Sequence, residues 1–168
     1  MNWNHNMKFT YKSFINNVPN FPKPGVIFKD IQPLLADPIV FSDVVKEMNN
    51  LVEIPDYWIG IDSRGFILAS ALSLHTNIGL KLIRKQGKLP PPVVGISYNL
   101  EYGTDTIELQ PGTGNVIIID DVYATGGTMK AAERLCKEAG YNVIDKLVLI
   151  DLQFLHTNVS VKSLIKYE

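Results

Sequence analysis

The sequence predicts an α/β domain built on a mostly parallel, twisted sheet flanked by helices. Three observations carry that expectation. Short runs of β-branched and apolar residues alternate along the chain with segments of helical spacing, the order of βαβ units. The run Val116-Ile117-Ile118-Ile119 joins four β-branched residues, the pattern of a strand covered on both faces. Two strands, Tyr57 to Ile61 and Val116 to Asp120, each lead through a polar loop into a helix, so both loops should emerge at one edge of the sheet.

Taken in order, Tyr11 to Asn16 reads as a short helix, and Pro19, Pro22, Pro24 and Gly25 then forbid regular structure until about Val26. Asp37-Pro38 supplies a cap and a first-turn proline. Val40, Phe41, Val44, Val45, Met48 and Leu51 follow at helical spacing. The strand from Tyr57 to Ile61 runs into Asp62-Ser63-Arg64-Gly65 and a helix from Phe66 to Leu74. Leu80 to Arg84 and Val93 to Tyr98 read as further strands. The polar stretch after Tyr98 holds Gly103, Pro111, Gly112 and Gly114, with strand character only at Thr106 to Leu109, and predicts a flexible lid over about residues 99–114. Val116 to Asp120 is the expected central strand. Met129, Ala132, Leu135, Cys136 and Ala139 mark a helix that closes at Gly140, and Val143 to Asp151 is another strand. Ser160 to Ile165 reads as a last short strand that, with the proline-rich N-terminal segment of about residues 1–35, would form a small hood over one end of the sheet. Residues 1–168 are expected to be one domain.

Composition narrows the partners. A chain of 168 residues that is 46% hydrophobic and 20% charged is ordinary for a globular protein. A formal charge of −1 gives no reason to expect nucleic acid or an anionic membrane, so an anion site must come from local clustering of basic residues. No apolar run approaches the ~20 residues that span a bilayer, and Met1 to Lys12 is too polar for a signal peptide. Cys136 is the only cysteine and lies on an apolar helical stripe, which excludes an internal disulfide and suits a core residue in a reducing, cytoplasmic setting. His5, His75 and His156 lack ligand spacing and receive no role. Neither G-x-x-x-x-G-K-[ST] nor G-x-G-x-x-G occurs, so the common nucleotide-binding loops are absent.

The chemistry concentrates after the central strand. Gly126 and Gly127 let backbone amides approach an anion at the start of a helix, and Thr125 and Thr128 add hydroxyl donors. Asp120 and Asp121, carried past the strand, suit hydrogen bonds to sugar hydroxyls. The alternative is an ordinary βα turn with two solvated acids, for which acid pair, double glycine and flanking threonines must coincide by chance. Only three arginines occur, and two of them, Arg64 and Arg84, follow predicted strands. Arginine suits bidentate phosphate contact, and Lys85 and Lys88 extend the cationic patch. Taken alone, that patch has a solvated basic turn as its less favoured alternative. Glu101 taken alone is a solvated loop acid.

The run from Val116 to Thr128 resembles the phosphoribosyl pyrophosphate (PRPP) motif of the type I phosphoribosyltransferases: an apolar strand, two acids, a spacer and T-G-G-T. Four further motifs resemble one family among them, the adenine phosphoribosyltransferases. These are Phe21-Pro22-Lys23-Pro24-Gly25-Val26-Ile27-Phe28-Lys29-Asp30, Gly60-Ile61-Asp62-Ser63-Arg64-Gly65-Phe66, Leu82-Ile83-Arg84-Lys85-Gln86-Gly87-Lys88-Leu89-Pro90 and Ser97-Tyr98-Asn99-Leu100-Glu101-Tyr102-Gly103.

The resemblance implies the type I phosphoribosyltransferase fold and a purine-salvage reaction in which PRPP and adenine give AMP and pyrophosphate. It implies Mg²⁺ held mainly by PRPP, with no ligand set supplied by the chain alone, and a homodimer. Asp120 and Asp121 would stabilise the cationic ribosyl centre, and Ala124, Thr125, Gly126, Gly127 and Thr128 would hold the 5′-phosphate. Asp62, Ser63, Arg64, Arg84, Lys85 and Lys88 would face the pyrophosphate, with a cis peptide at Asp62-Ser63. Glu101 would handle the purine proton, Tyr102 would help close the lid, and Val26, Ile27, Phe28 and Lys29 would bind the base. A transferase for hypoxanthine or guanine, or a PRPP-binding regulator without catalysis, are the competing expectations.

Overall fold

A run of β-branched residues can be buried from both sides only inside a sheet, and the fold is organised around that fact. The computed structural model describes residues 10–100, 103–157 and 161–168, which divide into two compact units, Met1–Val44 and Val45–Glu168. The larger unit holds seven strands: β3 (Tyr57–Ile61), β4 (Gly79–Lys85), β5 (Val94–Leu100), β6 (Gly103–Leu109), β7 (Asn115–Tyr123), β8 (Asn142–Leu152) and β9 (Lys162–Tyr167). They lie in the order β5-β6-β4-β3-β7-β8-β9. The run from β4 to β9 is parallel, and β6 joins both β4 and β5 antiparallel.

Two helices cover the two faces of this sheet. α4 (Gly127–Glu138) packs Met129, Ala132, Leu135 and Cys136 into a core with Ile59, Ile61, Val116, Ile118 and Val148. Alternation sends Trp58, Ile117 and Ile119 to the opposite face. There α3 (Arg64–Thr76) buries Leu68, Ala69 and Leu72, and the Trp58 indole donates to Thr76 Oγ1 at 2.9 Å. Every residue from Val116 to Ile119 is fully buried, as its composition predicts.

The smaller unit opens with a 3₁₀ turn (Tyr11–Phe14) and a hairpin of β1 (Asn16–Pro19) and β2 (Ile27–Asp30). The expected helix over Tyr11 to Asn16 is thus one turn long, because the chain then extends to pair with β2. Asn20 lies at φ 58° and its side chain accepts from Gly25 N at 2.9 Å, which closes the hairpin turn around Pro22 and Pro24. α1 (Gln32–Ala36), a five-residue helix, was not expected; Asp30 accepts from Gln32 N at its start. α2 (Pro38–Asn49) starts where Asp37 and Pro38 predict. Asp37 Oδ1 accepts from Ile39 N and Val40 N at 2.9 and 3.1 Å.

Two further expectations change. Gly103 to Leu109 is a strand in the sheet, so among the described residues of the range read as a lid only the stretch from Gln110 to Gly114 is free of strand; residues 101–102 lie outside the described residues. Ladder pairing on two sides supplies the order that its polar residues concealed. The last strand, β9, is the parallel edge partner of β8 and not part of a hood. Among the described residues no helix is long and apolar enough to cross a membrane.

Candidate active site

Parallel strands end together, so the loops after β3, β4 and β7 open at the same edge of the sheet. The close approach of the first two elements depends on Gly65. A Cβ there would lie 2.6 Å from the Ile119 carbonyl oxygen and 3.3 Å from Asp120 Cα, so only glycine lets the first turn of α3 sit against the end of β7.

The loop after β7 is where the sequence leads one to expect an anion cradle. Gly126 adopts φ 83°, a left-handed conformation, and starts α4 with no side-chain cap on the helix. The first amides of an α-helix have no intrahelical acceptor, so this end is suited to an anion. A cavity of about 90 Å³ opens there, lined by Asp120, Val122, Tyr123 and the continuous run Ala124 to Met129. Gly126 is the glycine that this loop requires. A Cβ on Gly127 meets nothing within 4 Å, so its role is to leave space and not to relieve strain.

Asp121 is buried, at 4% exposure, and its Oδ2 lies 2.9 Å from Arg64 Nε, although that oxygen accepts no well-aligned hydrogen bond. Asp120 Oδ1 accepts from the amide of Asp121 at 2.9 Å. Burial, followed by the neighbouring Asp121 charge, pushes the Asp120 carboxyl well above its ordinary value. Burial also raises Asp121, with Arg64 opposing. The two carboxyls share one guanidinium, so the pair resists carrying two full charges.

The basic residues converge on the same edge. Asp62-Ser63 is a cis peptide, as the resemblance implies. Arg84 Nε lies 3.3 Å from Asp62 Oδ2, and Asp62 N donates to Ile83 O, which links the loop after β3 to the end of β4. Lys85 and Lys88 are exposed on a turn whose Lys88 amide donates to Lys85 O. Two residues that the sequence reading missed hold this turn. Glu108 accepts from Gly87 N at 2.9 Å, and Asp105 pairs with Lys85 at 3.2 Å. The alternation of Glu108 with Ile107 and Leu109 was the available signal, and recognising β6 as a full strand would have exposed it.

Val26, Ile27, Phe28 and Lys29 belong to the N-terminal unit, where Val26 precedes β2. Phe28 is half-buried with its ring edge-on to Phe21 at 5.1 Å, which agrees with an anchoring role for that ring. Lys29 is buried and its Nζ donates to Asn17 Oδ1 at 2.6 Å. Glu101 and Tyr102 lie outside the described residues.

Comparison with known proteins agrees with this geometry. Residues 35–153 match the family model of the phosphoribosyl transferase domain. The adenine phosphoribosyltransferase of Bdellovibrio bacteriovorus is 50% identical over 162 residues, which cover 93% of this chain and 98% of that protein. The crystal structure of adenine phosphoribosyltransferase from Thermoanaerobacter pseudethanolicus superposes with a TM-score of 0.87 at 34% identity, covering 94% of this chain and 98% of that one. The Saccharomyces cerevisiae adenine phosphoribosyltransferase, crystallised with an imino-altritol bisphosphate and adenine, gives a TM-score of 0.80 at 33% identity over 92% and 95% of the two chains. With the double-glycine loop, the acid pair and the basic loops all gathered at one sheet edge, the chain belongs to the adenine phosphoribosyltransferase family.

Proposed function

We propose that the protein transfers the 5-phosphoribosyl group of PRPP to N9 of adenine, giving AMP and pyrophosphate in purine salvage. The observation that carries this reading is the meeting, at one sheet edge, of an uncapped helix start, the half-buried Asp120, the buried Asp121 and two arginines. The relatedness to the yeast enzyme crystallised with adenine supports the choice of base.

In this reading the amides of Ala124 to Thr128 and the Thr125 and Thr128 hydroxyls hold the 5′-phosphate and so fix the sugar. Asp120 and Asp121 lie beside the ribose. As the bond from C1′ to the pyrophosphate oxygen breaks and N9 bonds to C1′, positive charge grows on the ribosyl centre. That positive charge lies beside the two carboxyls, which together with the Arg64 guanidinium next to Asp121 set the field at the ribosyl centre. Asp62 and Ser63 shape the loop that faces the leaving group, and Arg64, Arg84, Lys85 and Lys88 balance its charge. Glu101 accepts the proton that leaves N9, and Tyr102 helps exclude water. Val26, Ile27, Phe28 and Lys29 bind the base, a role that rests on the match of Phe21 to Asp30 to the family segment.

Two carboxylates suit Mg²⁺, which takes one or two from protein while substrate oxygens and waters complete its shell. Among the described residues no three His, Cys, Asp or Glu side chains converge. Bound mainly to PRPP, the ion would add positive charge to the departing pyrophosphate. We further propose a cytoplasmic homodimer. Ile67 and Leu74, exposed on one face of α3, support the dimer, and the unpaired, buried Cys136 suits a reducing compartment.

Incubation with PRPP, Mg²⁺ and each purine in turn, followed by pyrophosphate release, tests the reading. Adenine should be the preferred base. Preference for hypoxanthine or guanine would reassign the base, and PRPP binding without turnover of any base would leave a regulator.

A further inference from the structure

Behind the phosphate loop lies a group of three side chains that neither the sequence reading nor the proposed reaction uses. Tyr123, the last residue of β7, pairs in register with Asp151 of β8, so both stand at the same sheet edge as Asp120. Asp151 is 4% exposed, and a carboxylate so buried needs a partner. The chain supplies one by turning back through a 3₁₀ turn (Gln153–Leu155), which brings His156 Nε2 to 2.7 Å from Asp151 Oδ1. The imidazole then meets the Tyr123 ring edge to face, centroids 4.7 Å apart and planes at 89°. Tyr123, itself 3% exposed, fills the place that a Gly126 Cβ would take, with its Cζ only 2.6 Å from that position.

We infer that Asp151, His156 and Tyr123 form a support that sets the shape of the phosphate loop, and with it the affinity for the 5′-phosphate. The inference rests on the PRPP reading of that loop. Gly126 lies against the hydroxyl end of the tyrosine ring, so the left-handed turn at φ 83° can neither sink toward the core nor take another residue. The ring is fixed by the imidazole, and the imidazole by the carboxylate. Tyr123 lines the cavity of the loop, whereas Asp151 and His156 are absent from its lining and act through Tyr123. They are positioning residues. The effect should therefore be selective. Ligands that carry the 5′-phosphate, PRPP and AMP, depend on the support, whereas adenine and pyrophosphate do not.

The test compares Tyr123→Phe, Tyr123→Leu and His156→Gln with the unaltered protein, using calorimetry for PRPP and AMP and steady-state KM values for all four ligands. Tyr123→Phe keeps the ring but removes the hydroxyl nearest Gly126, so it should weaken PRPP and AMP less than Tyr123→Leu does. Tyr123→Leu removes the ring, and His156→Gln removes the edge contact while keeping a donor for Asp151. Each should weaken PRPP and AMP roughly three- to tenfold, the size of one edge-to-face aromatic contact. KM for adenine and for pyrophosphate should change less than twofold. Should Tyr123→Leu fail to fold, His156→Gln carries the same expectation. Equal weakening of all four ligands, or unchanged PRPP binding in both variants, would overturn the support. An unaltered protein that binds PRPP but does not use adenine would sink only the choice of reaction, and one that binds no PRPP would sink both.

Discussion

Gly65→Ala tests whether the two loops must touch for the site to exist. The glycine sits inside α3 with an ordinary helical backbone, so added strain in φ plays no part. Its Cβ would lie 2.6 Å from the Ile119 carbonyl oxygen, against about 3.3 Å for an ordinary carbon to oxygen contact. The first turn of α3 must retreat by the difference, about 0.7 Å, because the obstacle is backbone in a fully buried strand. Crowding of this kind costs about 1–3 kcal/mol, and near this chain length each kcal/mol moves Tm by about 2–4 °C. A fall of roughly 2–12 °C follows. The retreat also carries Arg64, one residue earlier, away from Asp121. A misplacement near 1 Å can cost about a hundredfold in rate, so kcat/KM for PRPP should drop about ten- to a hundredfold. Thermal denaturation and pyrophosphate release measure the two effects. Gly95→Ala is the control, since the nearest atom to its Cβ would be Glu108 Cγ at 3.6 Å, an ordinary contact. Native Tm and unchanged kcat/KM in Gly65→Ala would refute the claim that close approach at this glycine holds the site together.

Asp120→Asn should inactivate the enzyme yet stabilise it near neutral pH. Because the folded carboxyl has its pKa raised, its contribution to stability is fully present below the ordinary value of 3.8 and is lost as pH rises above it, so the gain in Tm should vanish as pH falls toward that value. A variant less stable than wild type at pH 7 would contradict this. Glu101→Gln should lower kcat by about 10²- to 10⁴-fold with PRPP affinity unchanged, and near-normal turnover would remove its role in proton transfer. Asp37→Ala removes the cap of α2 and should cost about 0.5–2 kcal/mol in urea denaturation, with no change in substrate KM.

What the sequence determined was whatever short-range patterning controls. Burial on both faces was legible in Val116 to Ile119, the cap of α2 in Asp37-Pro38, and the phosphate loop in Asp120 to Thr128, because each depends on neighbours a few residues away. Even so, the sequence did not distinguish the two glycines of that loop. Gly126 is required by its left-handed φ and by Tyr123 beneath it, and Gly127 is not. Other features existed only after folding. β6 looked like a loop because its polar residues face partners distant in sequence: Glu108 the amide of Gly87, and Asp105 the ammonium of Lys85. Arg64 and Asp121 are 57 positions apart, and His156 carried no signal at all until the sheet placed Asp151 opposite Tyr123. Strand order and register decide such meetings. They are set by long-range pairing of β-strands, which local composition does not encode.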